Sequence, residues 1–109
     1  MPTPTPGHPA RGTRSGRPIM VLLDLLGRRW ALRIIWELRK GPETFRELRS
    51  RCDEISPSVL NTRLRELREA GILETRSETG YQLSRHGEAL CQALRPIAGW
   101  ARAWARRAS

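Results

Sequence analysis

The sequence predicts a mainly α-helical fold with one small β-hairpin, in the order helix, helix, helix, helix, hairpin, helix. Two observations carry this. Apolar residues recur at helical spacing through most of the chain, and the runs are bounded by caps, prolines or glycine stops. Only ILETRSETGYQL sets two short β-prone runs around a turn. With 109 residues, the chain is of a size for one domain with one hydrophobic core.

Residues 1–16, MPTPTPGHPARGTRSG, are rich in Pro, Thr, Gly and Arg, have no periodic apolar residue, and read as a flexible basic arm. Arg11, Arg14 and Arg17 are available to phosphates, but the composition is that of a tail without a specific role. The domain is expected over residues 17–109, with order beginning near Ile19. IMVLLDLLG reads as a short helix closed by Gly27. In RRWALRIIWELRKG, Trp30, Ile34, Ile35 and Leu38 share one side at helical spacing, and Gly41 and Pro42 stop the helix. Trp30 and Trp36 read as packing residues. TFRELRSR opens with a capping box, Thr44 with Glu47, and predicts a helix of about two turns with Phe45 and Leu48 inward. After the linker CDEI, Ser56 is an N-cap candidate, Pro57 fits the first helical position, and Gly71 ends that helix. Ile72, Leu73 and Thr75 form one strand, SETG the turn, and Tyr81, Gln82 and Leu83 the return. Ser84 caps the last helix. Pro96 lies inside it and is expected to kink or break it.

Charge narrows the function. The formal net charge is +9, and nineteen of the twenty basic residues are Arg, which favours bidentate contact with phosphate and carboxylate. A field of this sign attracts polyanions, nucleic acid first. The bland alternative is a proteome-wide preference for Arg. Cys52 and Cys91 form no metal or redox spacing and read as structural, in a reducing compartment. His8 and His86 are too few and too scattered for a metal site. No apolar run approaches the roughly 18 residues of a membrane span, and no signal peptide is evident, so the cytoplasm is expected. No catalytic cluster, phosphate-binding loop or dinucleotide fingerprint is present, which argues against an enzyme and against a bound cofactor.

On a helical wheel, Leu60, Leu64 and Leu67 fall on one stripe of residues 57–70. Ser58, Thr62, Arg65 and Glu69 lie opposite, flanked by Asn61 and Glu66. Ser, Asn, Thr and Arg near a helix N-terminus are the side chains that read base edges and hold phosphates. The short capped helix just before it and the hairpin just after it make a winged helix-turn-helix. The candidate DNA contacts are Ser58, Asn61, Thr62, Arg63 and Arg65, with Arg46 on the preceding helix and Arg76 at the base of the wing. The rival reading of this face is a solvated surface laced with pairs such as Arg65–Glu69. At the hairpin tip, Glu78 is repelled by phosphates. In the last helix, Leu90, Leu94, Ile97, Trp100, Ala101 and Trp104 form an apolar stripe longer than a small domain easily covers. Packing against a second copy, or back onto its own first helix, would bury it.

With these residues in view, residues 17–104 resemble the HxlR-type winged helix-turn-helix regulators, relatives in fold of the MarR-like regulators. Four segments carry the resemblance in the family's order. They are LLDLLGRRWALRIIWELRKGP, FRELRSRCDEIS, SPSVLNTRLRELREAGIL and YQLSRHGEAL. The resemblance implies a homodimeric, cytoplasmic regulator of transcription that binds double-stranded DNA. It also implies a dimer built from N- and C-terminal helices and reading helices in successive major grooves. At Arg63, a strongly patterned position, it implies phosphate contact or local structural support. The family commonly has a Cys-Pro pair before the first helix, and in some members that cysteine senses oxidants or electrophiles. Arg17-Pro18 stands there, which removes thiol sensing at this position. Ser58 replaces a position that is often basic, and the wing is short. A protein–protein module and a nonspecific nucleic-acid binder remain as alternatives. The effector, the operator and the direction of regulation stay open.

Overall fold

The computed structural model describes residues 17–77 and 80–108. The expected arm over residues 1–16 and the wing-tip residues Glu78 and Thr79 lie outside them. The elements are α1 (Pro18–Leu26), α2 (Ala31–Glu37) with a 3-10 turn (Leu38–Lys40), β1 (Glu43–Thr44), α3 (Phe45–Arg51), α4 (Pro57–Glu69), β2 (Leu73–Arg76), β3 (Gly80–Leu83) and α5 (Arg85–Ala108). The expected winged helix-turn-helix is the fold found.

Local chemistry sets most boundaries. Pro18 occupies the first turn of α1, where a missing N–H is harmless, and the Gly27 N–H closes the helix onto the Leu23 carbonyl. The capping box of α3 is complete. The Glu47 N–H donates to Thr44 Oγ1 at 3.1 Å, and the Thr44 N–H donates to Glu47 Oε1 at 2.8 Å. Ser56 Oγ accepts the Val59 N–H at 3.2 Å at the start of α4. Beyond its end Gly71 has φ +80°, which glycine adopts without a Cβ penalty.

The core lies where these elements meet. Ile34, Ile35, Leu38, Leu48, Leu60 and Leu67 are fully buried, and Leu25, Leu64, Leu73, Leu83 and Cys91 join them. Gly87 permits the closest approach. A Cβ there would stand 2.1 Å from the Ile72 carbonyl oxygen, so α5 can press onto the start of the wing only through a glycine.

Several expectations need correction. Trp30 has the right spacing for the stripe of α2, yet it stands before the helix in a left-handed conformation, φ 78°. Its ring packs on the edge of the core. Helical spacing extends through a turn of this kind, so periodicity alone cannot see it. A third strand, β1, was not expected. It pairs antiparallel with β3, Glu43 with Tyr81 and Thr44 with Gly80, giving the sheet order β1-β3-β2. Pro96 does not break α5, which is helical from Arg85 to Ala108. Pro96 takes an intrahelical donor from the Gln92 carbonyl, but both residues are exposed, where water can satisfy it. Finally, α5 packs on α2 and β3.

Candidate nucleic-acid interface

The helix-turn-helix is built from α3, a five-residue connection (52–56) and α4. Asp53 and Glu54 both take left-handed conformations, φ 56° and 57°, which folds the chain back sharply. Arginines hold this turn. Arg49 Nε donates to the Ile55 carbonyl at 2.7 Å, and Arg33 of α2 donates to the Arg51 carbonyl at 2.6 Å. Arg33 also pairs with Glu37 at 2.7 Å and approaches Asp53 at 3.8 Å. Cys52 sits beneath the turn with no exposed surface, and burial pushes its thiol pKa above the ordinary cysteine value. It is a packing residue with little thiolate character.

On α4 the leucine stripe is inward, with Leu60, Leu64 and Leu67 buried. Ser58, Asn61 and Arg65 are exposed and Thr62 is half-buried, so the four expected contacts share one arc opposite the core. At 100° per residue they fall within about 100° of one another. Thr62 Oγ1 donates to the Ser58 carbonyl at 2.9 Å, which leaves the hydroxyl oxygen able to accept. Arg65 has only a long contact to Glu69, 3.5 Å, between two half-exposed side chains. Such a pair is worth a few tenths of a kcal/mol, roughly, and yields readily to phosphate or guanine. Arg46 on α3 is exposed, and Arg76 is exposed at the end of β2, paired in register with Gly80.

Two residues of the helix behave differently from the wheel's expectation. Glu66 was expected beside the polar face and is instead 3% exposed, the only buried charged residue among those described. Its carboxylate binds Arg28, from the turn after α1, and Arg63 at 2.9 Å. Arg28 reaches on to Asp24 at 3.6 Å, and Arg63 Nε donates to the Arg29 carbonyl at 2.7 Å. Asp24, Arg28, Glu66 and Arg63 thus form a balanced chain of charges from α1 to α4. Arg63 is therefore engaged in local structural support, one of the two roles the resemblance implied. Spacing offered one clue, since Glu66 lies three residues after Arg63. Its second partner, 38 residues away, left no local trace. Val59, exposed about 100° around the helix from Ser58 and beside the arc, was also missed. An apolar side chain there is suited to a thymine methyl group.

The HxlR-like helix-turn-helix family model matches residues 25–109. The chain belongs to that family. Among curated relatives, the uncharacterised helix-turn-helix transcriptional regulator YvaP of Bacillus subtilis is 33% identical over 88 residues, covering 75% of this chain and 82% of YvaP. The quinone-bound structure of YodB from the same organism superposes with a TM-score of 0.71 at 35% identity, over 78% of this chain and 96% of YodB. A possible HxlR family transcriptional factor from Thermoplasma volcanium gives 0.72 at 30% identity, over 82% and 85% of the two chains. A DNA-binding regulatory role follows from membership of the HxlR-like family, and α3 and α4 are its helix-turn-helix. No helix among the described residues is long and apolar enough to cross a membrane.

Proposed function

We propose that this chain is a cytoplasmic homodimer that regulates transcription by binding a specific DNA sequence, with α4 in the major groove. The observation that carries the reading is the exposed arc of Ser58, Asn61, Thr62 and Arg65, on a helix fixed from behind by three leucines and a buried carboxylate. In this reading Asn61 and Arg65 address base edges, Ser58 and Thr62 address bases or phosphate, and Arg46 and Arg76 hold the backbone. Arg63 acts from behind, orienting the helix.

The second copy is inferred from apolar surface. Ile97, Trp100 and Trp104 of α5 are each more than half exposed, as are Ile19 and Leu23 of α1. Trp100 and Trp104 stack at 5.7 Å, so they present one broad apolar face. Leu90 and Leu94 begin the same stripe half-buried against the domain, and Ala101 continues it outward. In a twofold dimer through this face, the reading helices meet half-sites about 34–36 Å apart.

Selection of bound duplexes from a random pool tests the reading. The expected result is a short pseudo-palindrome whose binding weakens with salt and survives excess random DNA. Arg65→Ala is expected to change the selected sequence. If no selected sequence outcompetes bulk DNA, the chain is a nonspecific binder or a protein-binding module. If Arg65→Ala weakens cognate and random DNA equally, Arg65 leaves the reading set.

A further inference from the structure

Apart from α4, a cleft of about 760 Å³ runs between α5 and the end of α2 with its 3-10 turn. Trp36, Arg39 and Lys40 line one wall, and Arg95 and Arg102 line the other. Glu88 is the single carboxylate among the lining residues. Four cations thus face one anion, and they sit on two elements that repel each other across the gap. Arg39 is already placed. Its guanidinium lies 4.0 Å over the Trp36 ring, and its Nη1 donates to the Trp36 carbonyl at 3.0 Å. A fixed guanidinium loses little freedom when it takes up an anion. Leu83, Cys91 and Ala98 give the same cleft an apolar floor. The volume is that of a small-molecule site.

We propose that this cleft binds a small organic anion, a carboxylate or phosphate ester carrying a planar apolar group. The acidic group lies between the Arg39–Lys40 wall and the Arg95–Arg102 wall, and the planar part rests on the floor. A second copy of a chain with net charge +9 is a poor occupant for so cationic a space. None of the proposed reading residues of α4 lines it. Neutralising both walls draws α5 toward α2. Arg95 and Arg102 bracket Ile97 and Trp100 on that helix, so occupancy alters the angle at which the proposed dimer face leaves the domain. That consequence rests on the proposed function, whereas the site itself does not.

Titration calorimetry of the full chain without DNA tests the site, with phenyl phosphate as the probe and inorganic phosphate and benzyl alcohol as comparators. The expected result is one saturable phenyl phosphate site per chain, at least tenfold tighter than inorganic phosphate, with no measurable binding of benzyl alcohol. Arg102→Gln, at an exposed position on α5 that cannot threaten folding, is expected to weaken binding at least fivefold, and Arg39→Ala likewise. Arg65→Ala is expected to leave it unchanged. Absence of saturable binding overturns the proposal, as does an affinity insensitive to Arg102→Gln. A loss caused by Arg65→Ala also overturns it, by placing the anion on the DNA-facing helix. Because no DNA is present, a chain that selects no DNA sequence would still return a decision on the cleft.

Discussion

Glu66 shows how a charged side chain can be structural on a surface helix. It is almost fully buried, and its two partners, Arg28 and Arg63, expose a tenth and a fifth of their side chains. Removing the carboxylate leaves two guanidinium groups facing each other with no anion between them. Glu66→Ala is expected to destabilise the fold by about 3–5 kcal/mol, read from denaturant unfolding. A loss under about 1 kcal/mol, the range of an exposed pair, would show that water replaces the carboxylate. What could be read in advance at this scale was the local part. Leu60, Leu64 and Leu67 announced themselves by spacing, and so did the exposure of Ser58 and Arg65. The fate of Arg63 depended on a carbonyl at residue 29 and on Arg28 beside it, and no pattern within the helix encodes partners that distant.

Elements whose ends are fixed by neighbours in sequence were legible. Thr44 and Glu47 named the start of α3, and Ser56 and Pro57 named that of α4. The same capping box makes α3 sensitive to acid. The Thr44 backbone N–H, and then its side chain, hold the Glu47 carboxyl below its ordinary pKa. A carboxyl with a depressed folded-state pKa contributes stability above its unfolded value, about 4.3, and loses it as pH falls through the folded value. The stability gap between the native chain and Glu47→Ala is therefore expected to be full at pH 6 and to close below about pH 4. Unfolding curves at stepped pH check this, and a gap independent of pH would detach Glu47 from the cap. Elements defined by distant partners were not legible. Two residues make a strand of β1 only because Tyr81 and Gly80 come alongside. The left-handed Trp30 mimics the spacing of a helix it does not enter. Pro96 has the opposite lesson, because an exposed carbonyl tolerates the loss of one donor.

For the whole molecule, the apolar face of α5 and α1 is the feature a single chain leaves uncovered. Trp100→Asp is expected to turn a dimer into a monomer in sedimentation equilibrium at micromolar concentration. Its thermal unfolding should no longer depend on protein concentration. Its affinity for a paired half-site should fall at least tenfold, because two linked contacts become one. A variant that still sediments as a dimer would move the interface elsewhere. The excess of Arg, read from composition as a sign of polyanion binding, divides in the folded chain between the exposed arginines around α4 and a set bonded back onto the chain's own carbonyls. Three of the latter donate to main-chain carbonyls, Arg33 and Arg49 at the turn between α3 and α4 and Arg63 at the turn before α2. Arg33 and Arg63 each donate to a carboxylate through a second nitrogen at the same time. A lysine carries the same charge but gathers its donors on one atom and cannot span a carbonyl and a carboxylate in that way. A version of this chain with lysine at those three positions would keep the long-range field that draws DNA in and lose the clasps that aim the helix. Attraction and aim are separable properties of this molecule, and the identity of the cation, not its sign, is what separates them.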